Sequence, residues 1–342
     1  MNEQFDRELY YSRQTVMAEI GRIGQDRLRA ASVAVVGLGG LGSVSALYLT
    51  LAGVGEITLV DQDTVEMTNL HRQGLYSTDD LRHPKVEVAA ARLVKLNPEV
   101  RIKAVPENIN DENVGSILQS SDLVVDGLDN MYTRYLLNRY CVTRQIPLIF
   151  GGAIGMEGNV AVFKTPQTPC LECVLPGIED TNLPSCDTRG VIGATTGIIG
   201  SLQALETVKL LAGSYQNLKS RLMIFDFAES EFRTVELFIR HDCPVCQTKR
   251  PSEAAKKRIT WLCGSNTINV NPTESRSVDL ITARQLLQKE HRILLATPMV
   301  LVLDYKGHEV SIFKRGRMLI KNVTDEPSAL LIYKQIDEII RN

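Results

Sequence analysis

The 342-residue sequence lacks a long uninterrupted apolar run. Its most apolar stretch, Val191 to Ala212, is broken by Gln203, Glu206 and Lys209. A buried amphipathic helix tolerates such groups and a bilayer centre does not, so no membrane span is expected. The opening residues, Met1-Asn2-Glu3-Gln4-Phe5-Asp6, lack the basic flank and apolar core of a secretory signal, and a reducing, cytoplasmic setting is the expectation. No charge of one sign prevails: 38 Lys and Arg stand against 40 Asp and Glu, a net of −2. That excludes a general binder of nucleic acid or acidic membranes, which would neutralise phosphates over a basic surface, so any phosphate site must be local. Repeats and low-complexity tracts are also missing, and with 44% apolar and 23% charged residues the chain is long enough for one large α/β domain and a smaller appendage. The five histidines (His71, His83, His241, His291, His308) show no pairing at metal-ligand spacing and are given no chemistry.

What is present begins with alternation. Residues 13–30 are helix-compatible, Ser32 to Val36 reads as a strand, helical periodicity follows through Leu49, and Glu56 to Val60 reads as a second strand. A helix from about Lys85 to Leu96, strands near Ile102–Val105 and Leu123–Asp126, and a helix from about Met131 to Thr143 continue the pattern, which a Rossmann-like doubly wound parallel sheet satisfies. After Gly151-Gly152, runs at Asn159–Phe163, Leu222–Phe225 and Phe232–Ile239 suggest antiparallel strands, making the α/β sheet mixed. The boundaries implied are a domain over 1–247, a charged linker over 248–258 containing Pro251, and a small α+β domain over 259–342. In that domain helices are expected at Leu280–Glu290 and Pro327–Arg341, and short strands at Asn269-Val270, Val300–Asp304, Glu309–Phe313 and Met318–Lys321.

Chemistry concentrates at the strand ends. Gly37-Leu38-Gly39-Gly40-Leu41-Gly42 fits G-x-G-x-x-G between a strand and a helix, where the glycines allow a tight turn and the helix N-terminus suits a phosphate. Asp61, ending the second strand, has the place of a carboxylate that accepts from ribose hydroxyls. An NAD-dependent oxidoreductase would explain that much. It leaves Arg72 and Lys85 without purpose, whereas a triphosphate being split needs cations on its outer phosphates. Asp129, in Asp126-Gly127-Leu128-Asp129-Asn130 after a later parallel strand, is placed to hold magnesium.

Seven cysteines include two close pairs, Cys170-x-x-Cys173 and Cys243-x-x-Cys246, and two such knuckles meeting tetrahedrally are the usual frame of a structural zinc. With four thiolates no position stays open for substrate. Cys141 and Cys263 read as small buried apolar residues.

Taken together, Arg13-Gln14, the glycine turn, D-x-D-x-V-x-x-x-N-L-x-R-Q from Asp61 to Gln73, Pro84-Lys85, Leu128-Asp129-Asn130, Gly151-Gly152, both cysteine pairs and Gly200 to Glu206 resemble the MoeB/ThiF/HesA family and the adenylation domains of ubiquitin-activating enzymes. The resemblance spans about residues 10–246. It implies ATP-dependent adenylation of the C-terminal glycine carboxylate of a small ubiquitin-like or sulfur-carrier protein ending in Gly-Gly. It further implies Asp61 on the ribose, Asn69, Arg72 and Lys85 on the phosphates with Gln73 beside them, and Asp63 and Asn130 among the nucleotide-binding residues. Asp129 would hold magnesium. The resemblance also implies a homodimer in which Arg13 enters the neighbouring subunit's site. Cys186, in Leu183 to Gly190, falls where the family can form a thioester or transfer sulfur; an incidental cysteine is the alternative. A sulfur donor or downstream conjugating enzyme would be a further partner, and the tail, which lacks the cysteine loop of a rhodanese domain, is expected to dock the partner or a downstream enzyme. A non-catalytic scaffold of the same fold is the third reading, and it would be expected to have lost Arg13, Lys85 or Asp129.

Overall fold

A computed structural model describes residues 5–180, 189–214, 218–248, 259–262, 266–273 and 276–341. The chain divides into two compact units, Met1–Asp79 with Lys85–Glu253, and Asp80–Pro84 with Ala254–Asn342. In the first unit, α1 (Arg7–Tyr10), α2 (Ser12–Thr15) and α3 (Gly21–Ala30) precede β1 (Ser32–Val36), α4 (Gly40–Ala52) and β2 (Glu56–Val60). Then come α5 (Lys85–Leu96), β3 (Arg101–Val105), α6 (Val114–Leu118), β4 (Leu123–Asp126), α7 (Met131–Arg144), β5 (Leu148–Ile154), β6 (Glu157–Phe163), α8 (Leu171–Val174), α9 (Gly193–Ala212), β7 (Arg221–Asp226) and β8 (Glu231–Glu236).

The helix expected over 13–30 is interrupted. Turn hydrogen bonds from Ile20 and Gly21 to Met17 O, with Gly21 at φ +59°, separate α2 from α3.

The eight strands run in the order β3-β2-β1-β4-β5-β6-β7-β8. The first five are parallel, and β5–β6, β6–β7 and β7–β8 are antiparallel, as the change of pattern after Gly152 led one to expect. The central strands are apolar on both faces because helices cover both: Val33 to Val36, Ile57, Leu59, Val60 and Leu123 to Val125 are all buried. At about 25 cal/mol per Å² of apolar area, these strands supply the main driving force for this unit. Their parallel direction brings the ends of β1, β2 and β4 together at one edge, the usual ligand position in such sheets.

The second unit contains β9 (Ile259–Leu262), β10 (Thr267–Val270), α10 (Leu280–Leu287), β11 (Arg292–Ala296), β12 (Val300–Tyr305), β13 (His308–Phe313), β14 (Met318–Lys321) and α11 (Glu326–Arg341). Its antiparallel sheet runs β11-β12-β13-β14-β10-β9. Ile268, Leu301, Leu303, Val310, Ile312 and Ile320 pack with Ala283 and Leu287 of α10 and Ala329, Ile332 and Ile336 of α11. Strands β9 and β11 were not anticipated from the sequence; β11 follows directly on a helical pattern and shows no clean alternation. Among the described residues, no helix is long and apolar enough to cross a membrane.

Candidate nucleotide site and cysteine cluster

The glycine turn is dictated by sterics. Gly37 sits at φ +87°, and a Cβ on Gly42 would lie 1.7 Å from Gly37 O, so no other residue fits there. Gly37 N–H donates to Val60 O (2.8 Å) and Gly127 N–H to Val36 O (2.8 Å), stitching the ends of β1, β2 and β4 into one ledge. Helix α4 starts there with Gly39 as its N-cap and no side chain capping it, leaving its first N–H groups directed at the ledge.

Three charged side chains gather beside the turn. Asp61 accepts from Leu38 N–H through Oδ2 (2.6 Å) and from Asp63 N–H through Oδ1 (2.7 Å). Burial pushes its carboxyl up to about 6, against the opposing pull of Lys85. Lys85 Nζ lies 3.0 Å from Asp63 Oδ2. Burial works against its ammonium, but Asp63 and Asp61, with a smaller contribution from Asp129, hold it above its ordinary value. Asp129 itself is exposed. Gln73 is buried with its Nε2 3.8 Å from where a Cβ on Gly39 would be, and Tyr76 OH donates to Leu38 O (3.0 Å). Two buried acceptors here, Asp63 Oδ1 and Gln73 Oε1, have no hydrogen-bond partner among the described residues, an expense that a site awaiting a polar ligand can carry.

The other predicted residues are distributed around this centre. Asn69 ends a 3₁₀ turn (Met67–Asn69), and Arg72 Nη1 is held by Thr68 O (2.9 Å) and His71 Nε2 (2.8 Å). The start of α9 leans on that segment: a Cβ on Gly193 would come within 2.7 Å of His71 O. Asn130 is the N-cap of α7, accepting from Thr133 N–H (2.9 Å), and its Nδ2 lies 3.5 Å from Asp129 Oδ1. Arg13 is exposed on α2 and makes no hydrogen bond or ion pair with a described residue of its own chain. Cys186 lies outside the described residues, as does Cys263.

The second centre is closed. Cys170, Cys173, Cys243 and Cys246 bring their sulfurs within 4.8 Å of one another, with Cys170–Cys243 at 3.6 Å, Cys173–Cys246 at 3.4 Å and Cys170–Cys173 at 3.9 Å. A tetrahedron with metal–sulfur arms of 2.3 Å has edges of about 3.8 Å, so the spacing fits one thiolate-bound ion. Helix α7 supports the first knuckle. Asn138 Oδ1 accepts from Leu171 N–H (2.9 Å), its buried Nδ2 stands beside the Cys170 thiol, and Arg139 grips Glu172 (2.8 Å).

A model of the ThiF family matches residues 11–245. The chain belongs to the ThiF family. It is 43% identical over 250 residues to the sulfur carrier protein adenylyltransferase of Thermus thermophilus, covering 71% of this chain and 91% of that protein. Identity is also 43%, over 244 residues, to the SAMP-activating enzyme E1 of Haloferax volcanii, with 71% of this chain and 89% of that protein covered. With the adenylyltransferase and sulfurtransferase MOCS3 of Culex quinquefasciatus it shares 43% over 238 residues, but the match spans only 54% of that longer protein. Among solved structures, E. coli MccB with MccA-N7isoASN matches at a TM-score of 0.62 and 25% identity, over 71% of this chain and 75% of that one. E. coli MccB with AMPCPP and MccA matches at a TM-score of 0.58 and 26% identity, over 66% and 69%. Two of these relatives are adenylyltransferases by name and the third an activating enzyme, and the oxidoreductase reading finds no support among them.

Two residues of this site escaped assignment from sequence. Arg134 and Gln203 are nearly or wholly buried and bond to backbone carbonyls at the ends of β4 and β5. Gln203 was signalled by its polarity within an apolar helix and by its place in the Gly200 to Glu206 segment of the resemblance, neither of which gave it a role; Arg134 gave no signal.

Proposed function

We propose that this chain uses ATP and Mg2+ to adenylate the C-terminal glycine carboxylate of a small ubiquitin-like or sulfur-carrier protein, with release of pyrophosphate. The observation that carries the reading is Lys85: an ammonium buried between Asp61 and Asp63, beside a glycine turn and within reach of the field of Asp129. A carboxylate is a poor electrophile at neutral pH. Its attack on the α-phosphorus of ATP gives an acyl-adenylate, and the leaving pyrophosphate needs its growing negative charge neutralised.

Asp61 receives the ribose hydroxyls. Its oxygens each hold one N–H bond already and have a lone pair left. Gly37, Gly39, Gly40 and Gly42 let the phosphates approach the backbone, Lys85 moves from Asp63 toward the outer phosphates, and Asn69, Arg72 and Gln73 complete their surroundings. Arg13 reaches the site from a second copy in a homodimer, which agrees with its lack of partners at home. The exposed Asp129 offers hard oxygen ligands suited to magnesium, which when bound supplies positive charge to the triphosphate. The four cysteines suit zinc, which would pin the loop after β6 to the end of the domain; the free thiols it requires agree with a cytoplasmic setting. In a later step the Cys186 thiolate attacks the acyl-adenylate, forming a thioester and releasing AMP, or takes part in transferring sulfur brought by a separate donor.

The reading is tested by incubating the protein with radiolabelled pyrophosphate, ATP and a Gly-Gly-terminated candidate partner. Label appearing in ATP only when the partner is present supports it. A protein that ignores ATP while retaining a nicotinamide cofactor refutes it, and one that binds ATP without any exchange across candidate partners points to a scaffold.

A further inference from the structure

Strands β4 and β5 pair only at Val124–Leu148 and Val125–Ile149 and then diverge. Two polar side chains from different helices close the fork. Gln203, fully buried on α9, donates from Nε2 to Asp126 O (2.7 Å) and to Ile149 O (3.2 Å), while its Oε1 accepts from Ser45 Oγ (3.3 Å). Arg134, one turn into α7, donates from Nη2 to Leu128 O (2.5 Å) and Gly151 O (2.7 Å). Its Nε is 3.3 Å from Asp126 Oδ2, and its guanidinium lies 4.9 Å from the centre of the Phe150 ring. Gly151 is what leaves room for this, since a Cβ there would come within 2.5 Å of the Gln203 amide.

On the β4 side these contacts fall on one short segment, Asp126-Gly127-Leu128, whose next residue is the exposed Asp129, while the Ile149 and Gly151 carbonyls anchor the same side chains to β5. The β1 side of the same segment is held by the Gly127 N–H on Val36 O. A helix packing on a sheet needs only apolar contacts, and a guanidinium 11% exposed against a wholly buried Asp126 is a costlier choice than a leucine. The cost is understandable if position, not burial, is what the pair provides. Arginine's rigid, planar guanidinium can send Nη2 to two carbonyls while Nε faces Asp126, a fixed set of directions that the freely rotating ammonium of lysine does not hold.

We infer that Arg134 and Gln203 are positioning residues: without touching substrate, they set the Asp129 carboxylate at the distance from Lys85 and the glycine turn that magnesium-bound triphosphate requires. Supports of this kind commonly weigh about 10–100-fold on metal affinity or activity. The inference rests on the assignment of Asp129 to magnesium, and one experiment separates the two. Pyrophosphate exchange by the full-length protein is followed against Mg2+ concentration for the wild type, Arg134→Lys, Gln203→Met and Asp129→Asn, with melting temperature recorded for each. Arg134→Lys and Gln203→Met are expected to raise half-saturating Mg2+ about tenfold or more, with a smaller fall in maximal rate and a melting temperature near that of the wild type. If Asp129→Asn shifts the Mg2+ dependence and neither brace variant does, the inference fails alone. If Asp129→Asn leaves it unchanged, the assignment beneath fails. Unfolding of both brace variants would make them core residues and likewise overturn the inference.

Discussion

The nucleotide ledge and the cysteine cluster occupy the same unit and are built on opposite terms. At the ledge, buried acceptors on Asp63 and Gln73 stand without partners among the described residues, the ammonium of Lys85 leans on a carboxylate it can leave, and Asp129 faces solvent. At the cluster, Cys170 and Cys243 are wholly buried, Cys173 nearly so, and the four sulfurs face one another with only N–H groups such as those of Asn138 and Gln247 beside them. A site for a ligand that comes and goes keeps hydrogen-bonding capacity unspent; a site for a resident ion closes around it. The helix α7 joins the two, carrying Arg134 near its start and Asn138 and Arg139 farther along.

The contrast is broken most directly at Lys85. Lys85→Ala and Asp129→Ala should each lower partner-dependent ATP–pyrophosphate exchange by about 10²–10³, the usual loss when one charge-stabilising contact is removed. Rates within a few-fold of wild type in both variants would mean that the ledge does not split ATP. The cluster should respond in another currency. Cys243→Ser replaces a wholly buried sulfur of the proposed zinc set and is expected to abolish stoichiometric zinc, measured by atomic absorption, and to lower the melting temperature. Full zinc retention with an unchanged melting temperature would contradict a closed metal site.

A smaller effect sharpens the comparison from the supporting shell. Asn138→Leu removes the amide beside Cys170 and the acceptor of Leu171 N–H. Zinc affinity, read by competition with a chelator, should fall about 10–100-fold while ATP binding is retained. Equal loss of ATP binding would show that α7 transmits more than it supports.

How much of this was legible in the sequence follows from where the information sits. The parallel strands announce themselves because both of their faces are covered, so Val33 to Val36 and Leu123 to Val125 read as unbroken apolar runs. Glycine turns and paired cysteines are legible because no other residue type does their work. The brace is not, because the partners of Arg134 and Gln203 are backbone carbonyls of residues distant in sequence, and a carbonyl leaves no mark on residue identity. Strand β11 was hidden for a different reason: its residues are half-exposed on both sides, so neither periodicity stands out. Arg13 is legible only through the family resemblance, since its proposed target belongs to a second chain.

The smallest effect distinguishes a waiting site from a filled one through pH. Burial raises the Asp61 carboxyl from its ordinary value of 3.8 to about 6, with Lys85 and the Leu38 and Asp63 N–H groups pulling the other way. A carboxyl raised in the folded state favours folding fully below its unfolded value, and that advantage is lost as pH rises through about 6. Ribose hydroxyls, by contrast, donate to the ionised form. The free protein and its nucleotide complex should therefore respond to pH in opposite senses across this window. ATP affinity is expected to fall about tenfold between about pH 7 and about pH 5, most of it below about 6, while above about pH 7 the dependence flattens. Thermal denaturation with and without ATP at about pH 5 and about pH 7 would read this as a nucleotide-induced shift that grows with pH. Asp61→Asn should bind ATP more weakly at neutral pH and lose the dependence, because its amide does not titrate. A nucleotide-induced shift that is the same at both pH values in the wild type would mean that Asp61 is not the group on which the ribose rests.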